Sequence, residues 1–136
     1  MCSILLVEDH KIIAETLAHI LRTKGNFDVA DVAESAEDAM EWLSAQSTEH
    51  HVDLALVDVV LPRMSGIELV SMIEQKFPGL PCLMISGRSN EQYVTRSLAA
   101  GARGYVLKDD LNDVMTGIQQ VLEGGTYLSK QLDKEE

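Results

Sequence analysis

Cysteine is scarce: the chain of 136 residues holds two, Cys2 and Cys82. Two thiols make no disulfide framework and no metal-ligand spacing. Both lie in apolar, strand-like runs, where a free thiol packs as a small hydrophobe. This usage points to a reducing cytoplasm. Positive charge is scarce too. Eleven lysines and arginines stand against 22 acids, for a formal net charge of −11. Nucleic-acid modules carry a basic face, so no direct nucleic-acid binding by this chain is expected. No apolar stretch approaches the roughly 18 residues of a membrane span, and no membrane role is expected. The opening "MCSILLVEDH" has neither a basic segment nor a cleavage site, so no signal peptide is expected. No repeat of 20 to 50 residues recurs. The four histidines, His10, His19, His50 and His51, show no zinc spacing. His50 and His51 are expected to be solvated in a polar loop.

What is present is a regular alternation of short apolar runs and amphipathic stretches, in a length that suits one domain. "SILLV" reads as a first strand. Ile12, Ile13, Thr16, Leu17, Ile20 and Leu21 then recur at helical spacing until Gly25. "FDVADVA" is a second strand, and "SAEDAMEWLSAQ" a helix with Ser35 as its N-cap. "LALV" is the third strand and "GIELVSMIEQKF" the third helix. "CLMIS" and "GYVL" are further strands. "NEQYVTRSLAAGA" is a weakly apolar fourth helix, with only Tyr93, Val94 and Leu98 as large apolar residues. "LNDVMTGIQQVLEGG" is the last helix. Five strands alternating with helices predict an α/β fold, a parallel sheet covered on both faces.

In such a sheet, ligands bind beyond the carboxyl ends of the strands. The first strand is followed there by Glu8 and Asp9, the third by Asp58, the fourth by Ser86 and the fifth by Lys108. Singly, each has a plainer reading. Asp9 is open to capping the first helix and Ser86 to capping the fourth. Asp58 is open to serving a turn before Pro62, and Lys108 to simple solvation. Jointly they put three acids, a hydroxyl and a lysine at one edge. Asp58 is the sharpest case, because "DLALVDVVLPRMSG" sets a carboxylate inside an apolar run. Burying it is costly without compensation. Three converging carboxylates repel one another, since unit charges at about 4 Å interact by roughly 4 kcal/mol at an effective dielectric near 20. One lysine does not neutralise three acids. An oxygen-only donor set suits a hard cation such as Mg2+. Metal, lysine and hydroxyl around an aspartate suit phosphoryl transfer, with the aspartate as covalent acceptor.

The chain resembles a response-regulator receiver domain of two-component signalling. "VEDH", "LVDVVLPRMSGIEL", "MISGRS" and "GARGYVLKDD" carry the resemblance, in order and over nearly the whole chain. "KDD" and "GGTYLS" resemble the NarL/FixJ (LuxR-type) subfamily. The resemblance implies a doubly wound, flavodoxin-like five-stranded parallel sheet of order 2-1-3-4-5, with helices on both faces. It implies Asp58 as phospho-acceptor and Asp9 as a direct Mg2+ ligand. Glu8 would act mainly through metal-bound water, and Val60 would lend its backbone carbonyl to the metal. It implies Ser86 as switch hydroxyl, Tyr105 as the aromatic that moves with it, and Lys108 as partner of the phosphoryl group.

Two positions depart from the family pattern. Asp109 follows Lys108 where many members carry a cis proline, and Val60 is apolar where some carry a polar residue, so a different phosphoryl lifetime is expected.

The resemblance further implies a sensor histidine kinase as partner and a phosphorylation-dependent homodimer. The chain would be no enzyme beyond promoting its own phosphorylation and dephosphorylation. Residues 1–124 are expected to form the receiver, and 125–136 a C-terminal extension or linker stub. An output helix-turn-helix domain that binds DNA is expected beyond Glu136 in a longer protein; a stand-alone regulator is the other reading. A pseudo-receiver acting only as an interaction module, and an aspartyl-phosphate hydrolase, are the competing functions. The hydrolase is disfavoured because Glu8 and Asp9 are adjacent rather than spaced Asp-x-Asp, and no substrate cap is present.

Overall fold

A computed structural model describes residues 2–45, 52–87 and 89–129. The chain runs β1 (Ser3–Val7), α1 (Lys11–Thr23), β2 (Asp28–Ala33), α2 (Ala36–Ala45), β3 (Leu54–Asp58), α3 (Gly66–Lys76), β4 (Cys82–Ser86), α4 (Glu91–Ala100), β5 (Gly104–Leu107), α5 (Leu111–Leu122) and β6 (Tyr127–Leu128). The strands form one sheet of order β2-β1-β3-β4-β5-β6, every neighbouring pair parallel. His50 and His51 lie outside the described residues.

Alternating side chains of each strand point to opposite faces of the sheet. Leu5, Val7, Ala55 and Val57 therefore join the core beneath α2 and α3. Ile4, Leu6, Leu54 and Leu56 join the core beneath α1 and α5. With both faces covered, the strands can be apolar throughout. The short "LALV" run does not mark its own end: β3 continues one residue further than read from the sequence, through Asp58.

Helix starts follow local chemistry. Ser35 Oγ accepts from the Asp38 N–H at 3.0 Å, and Ser65 Oγ from the Glu68 N–H at 3.1 Å. Asn90 Oδ1 takes the N–H groups of Gln92 and Tyr93 at the start of α4, so that helix does not need Ser86 as its cap. His10 occupies the cap position of α1 with no side-chain cap bond, so Asp9 does not serve there either.

Two features depart from the sequence reading. In α1 the buried face is Ala14, Leu17, Ala18 and Leu21, whereas Ile12 is 79% exposed and Ile13 lies at the border of exposure. The small alanines let the helix lie close on the sheet, and the periodic isoleucines fall outside that contact. The sheet also has a sixth strand. Tyr127 and Leu128 pair in parallel with Gly104 and Tyr105. The Tyr127 N–H donates to Arg103 O at 3.0 Å, and the Ser129 N–H to Tyr105 O at 2.9 Å. Two residues are too short to show strand periodicity. Gly104 permits the pairing, because a Cβ there would sit 2.3 Å from the Tyr127 carbonyl oxygen.

Asp113, in the first turn of α5, fixes this last segment. Buried at 5% exposure, it accepts hydrogen bonds from the Tyr127 hydroxyl and, at 2.6 Å, from the Ser129 hydroxyl. Asp110 closes the preceding turn. Its N–H reaches Leu107 O at 3.3 Å, and its Oδ1 caps the Asp113 N–H at 3.0 Å. That is how the chain turns after Lys108 with Asp109 in place of proline.

Candidate functional site

Parallel register brings the strand ends to one edge. Val7 pairs with Val57, Asp58 with Ile85, and Ser86 with Leu107. The residues at or just after those positions are Glu8, Asp9, Asp58, Ser86 and Lys108. Their apolar neighbours are buried on both faces, so the edge is the first place where these polar groups meet.

Lys108 is the link. Its Nζ lies 2.5 Å from Glu8 Oε1 and 2.8 Å from Asp58 Oδ2. Both carboxylates are almost fully buried, Glu8 at 1% and Asp58 at 3% exposure. A buried charge survives only when paired and hydrogen-bonded, and here one ammonium serves two carboxylates. The Val60 N–H donates to Asp58 Oδ1 at 3.1 Å, and the His10 N–H to Glu8 Oε2 at 3.2 Å. Backbone bonds thus hold the oxygens that Lys108 does not.

The two acids are split in strength. Burial pushes the Asp58 carboxyl up, the facing Glu8 adds to this, and Lys108 only partly opposes them, leaving Asp58 at about 6. Burial acts upward on Glu8 as well, but its hydrogen bonds with Asp58, Lys108 and His10 outweigh it and hold Glu8 below its ordinary value. For Lys108, burial would lower the ammonium, and its bonds to Asp58 and Glu8 overcome that and raise it.

Asp9 completes the acidic set. Its Oδ1 is buried without a hydrogen-bond partner among the described residues. His10 Nδ1 lies 3.4 Å away but makes no hydrogen bond to it. Glu8, Asp9, His10 and Asp58 each offer one ligand atom, all within 4.8 Å of one another. An orphaned, buried carboxylate oxygen beside two further carboxylates fits a hard divalent cation.

Ser86 ends β4 and is 2% exposed. Its carbonyl accepts the Lys108 N–H at 2.9 Å, which ties the hydroxyl-bearing residue to the lysine through the backbone. Its side chain hydrogen-bonds Tyr105, whose phenol is raised by burial with the Ser86 bond partly opposing. Tyr105 is fully buried. The adjacent α4 contributes only Ser97 as a buried residue.

Of the residues expected from sequence, Glu8, Asp9, Asp58 and Lys108 converge directly. Ser86 and Tyr105 join behind them, and Val60 takes part through its N–H. One contributor escaped the sequence reading. A Cβ on Gly66 would lie 2.0 Å from the Asp58 carbonyl oxygen, so only glycine lets α3 start against the end of β3. The glycine of "RMSG" was visible; its neighbour eight residues back was not. His10, which directly follows the acidic pair, sets its Nδ1 3.4 Å from Glu8 Oε2 and Asp9 Oδ1.

The chain is also similar to known proteins. The family of response regulator receiver domains matches residues 4–119. The transcriptional regulatory protein DegU of Brevibacillus brevis is 30% identical over 126 residues, covering 92% of this chain and 52% of its own length. The DNA-binding transcriptional activator DevR/DosR of Mycobacterium tuberculosis is 33% identical over 109 residues, 80% of this chain and 48% of its own length. This chain therefore spans about half the length of these relatives. A LuxR-family two-component response regulator from Aurantimonas superposes with a TM-score of 0.90 at 26% identity, covering 99% of this chain and 94% of that one. A CheY-like receiver domain protein from Methanospirillum hungatei gives 0.79 at 27% identity, over 100% and 99% of the two chains.

Proposed function

The chain belongs to the response-regulator receiver family of the LuxR/NarL type, and from that premise we propose that Asp58 accepts a phosphoryl group from the phosphohistidine of a sensor kinase. The observation that carries this reading is Lys108 bridging Asp58 and Glu8 beside an unpartnered Asp9 oxygen. In the transfer, an Asp58 carboxylate oxygen forms the new P–O bond as the donor's P–N bond breaks, and the imidazole leaves with the electron pair. Val60 and Lys108 orient the Asp58 oxygens before the donor arrives. Once the acyl phosphate forms, Lys108 turns from the carboxylate to a phosphoryl oxygen as a charge-assisted donor.

Asp9, Asp58 and Glu8 with the Val60 carbonyl would hold Mg2+, Glu8 mainly through water. When bound, the ion offsets the charge on the phosphoryl oxygens. The neutral Ser86 hydroxyl then reaches a third oxygen, and its departure from Tyr105 frees the aromatic ring to take a new position. The thinly packed α4 follows, biasing a two-state surface that sets self-association or contact with an output domain. In a longer protein, that output would be DNA binding by a helix-turn-helix domain. The chemistry serves only the chain's own phosphorylation and dephosphorylation, in the cytoplasm.

Beryllofluoride with Mg2+ tests the acceptor role. Wild-type protein should bind the adduct with changed 19F resonances, and Asp58→Ala should not. Equal binding by both would remove Asp58 from the reaction.

A further inference from the structure

Tyr105 has two attachments. Its side chain bonds Ser86 at the sheet edge. Its backbone pairs with Leu128 of β6, and its carbonyl accepts the Ser129 N–H at 2.9 Å. Parallel register puts the Tyr105 and Leu128 side chains on one face of the sheet, where Leu128 packs against the core cluster that holds Tyr105. A change at the Tyr105 ring therefore reaches β6 through both packing and backbone.

The seat of β6 is closely shaped. Gly104 admits the Tyr127 backbone, and Gly117 of α5 admits its ring. A Cβ on Gly117 would lie 3.0 Å from Tyr127 Cδ2 and 2.9 Å from Val106 Cγ1. Yet a strand of two residues holds little by itself. The hydroxyls of Tyr127 and Ser129 both converge on the Asp113 carboxylate. Asp113 is tied in turn to the turn after Lys108: its N–H is held by Asp110 Oδ1, and the Asp110 N–H by Leu107 O. A close fit fastened by one buried carboxylate docks or opens as a unit.

We propose that residues 127–129 form a strap that responds to the state of the site. It is seated while Ser86 holds Tyr105, and it loosens when a phosphoryl group on Asp58 draws Ser86 away, which rests on the acceptor role proposed for Asp58. A strap with only a structural role would stay seated in both states. Coupling of this kind is reciprocal. The factor by which an occupied site weakens the docking of β6 is the factor by which an open β6 strengthens binding at the site.

Amide hydrogen exchange of the whole chain, with and without beryllofluoride and Mg2+, separates the two roles. Exchange at Tyr127 and Ser129 should quicken by about fivefold or more in the adduct, while β3 does not quicken. Asp58→Ala should show no response. In Asp113→Ala, which opens the strap, beryllofluoride should bind more tightly by about the same factor. Tyr127→Phe combined with Ser129→Ala leaves Asp113 in place and should tighten binding likewise, so the outcome does not hang on one variant. Unchanged or slower exchange at Tyr127 and Ser129 in the adduct overturns the inference. Unchanged or weaker affinity in a variant whose β6 exchange has quickened overturns it as well. Failure of wild type to bind beryllofluoride at all overturns the acceptor role and the strap with it, a result distinct from binding without release.

Discussion

Lys108 Nζ stands 2.8 Å from Asp58 Oδ2, joining the end of β5 to the end of β3 across fifty residues of sequence. The same nitrogen holds Glu8 at 2.5 Å. Removing it leaves two buried carboxylates facing each other. Lys108→Met should therefore destabilise the metal-free protein by about 2–4 kcal/mol near neutral pH. Urea denaturation checks this, and added Mg2+ should recover part of the loss. Unchanged stability would mean that the lysine does not compensate the pair.

Asp58 gives the protein a pH signature. Its folded-state value of about 6 lies above the ordinary 3.8. Folding favours its protonated form, so the stability it contributes is full below pH 3.8 and is lost as pH rises through 6. Wild-type stability relative to Asp58→Asn should fall across that window by about 2–3 kcal/mol in metal-free buffer. Parallel denaturation series at pH 4, 5, 6 and 7 measure the difference. A difference that is flat with pH would contradict the raised value.

Gly66 sets how closely α3 approaches Asp58. A methyl group there would collide with the Asp58 carbonyl, which is backbone and cannot swing away. Gly66→Ala should cost about 2 kcal/mol or more and slow modification of Asp58 beyond what the stability loss explains. Denaturation and phosphorylation rates together check both effects.

Asp113 should anchor the last strand. Asp113→Ala strands the buried Ser129 hydroxyl and frees the Tyr127 ring, costing about 2–4 kcal/mol. Amide exchange at Tyr127 and Ser129 should quicken far more than in β3. Equal exchange in the variant would show that β6 holds without the clamp.

The alternation of strands and helices and the acidic edge were legible because they follow from residue type and period, whereas the strand order came from the family resemblance. Four of the five apolar runs, all but the second, end in a chemically distinctive residue, and parallel register brings those ends to one edge. Asp58 looked anomalous in sequence because it is the last β3 residue, buried, with Lys108 supplied from 50 residues away. What stayed hidden depends on contacts that no local pattern encodes. The periodicity of α1 included Ile12 and Ile13, but the choice between them and Ala14 and Ala18 is made by how close the sheet lies. The Asp113 clamp joins residues whose spacing has no helical or strand meaning, and β6 is too short to show a pattern. The tight fit of Gly66 exists only once α3 has docked.

The most direct test is phosphorylation of the purified chain by acetyl phosphate, with the modified residue mapped by mass spectrometry. The account predicts one acyl phosphate per chain, on Asp58, formed with Mg2+, lost on chelation, and absent from Asp58→Ala. Incorporation at another residue, or undiminished incorporation in Asp58→Ala, would contradict it.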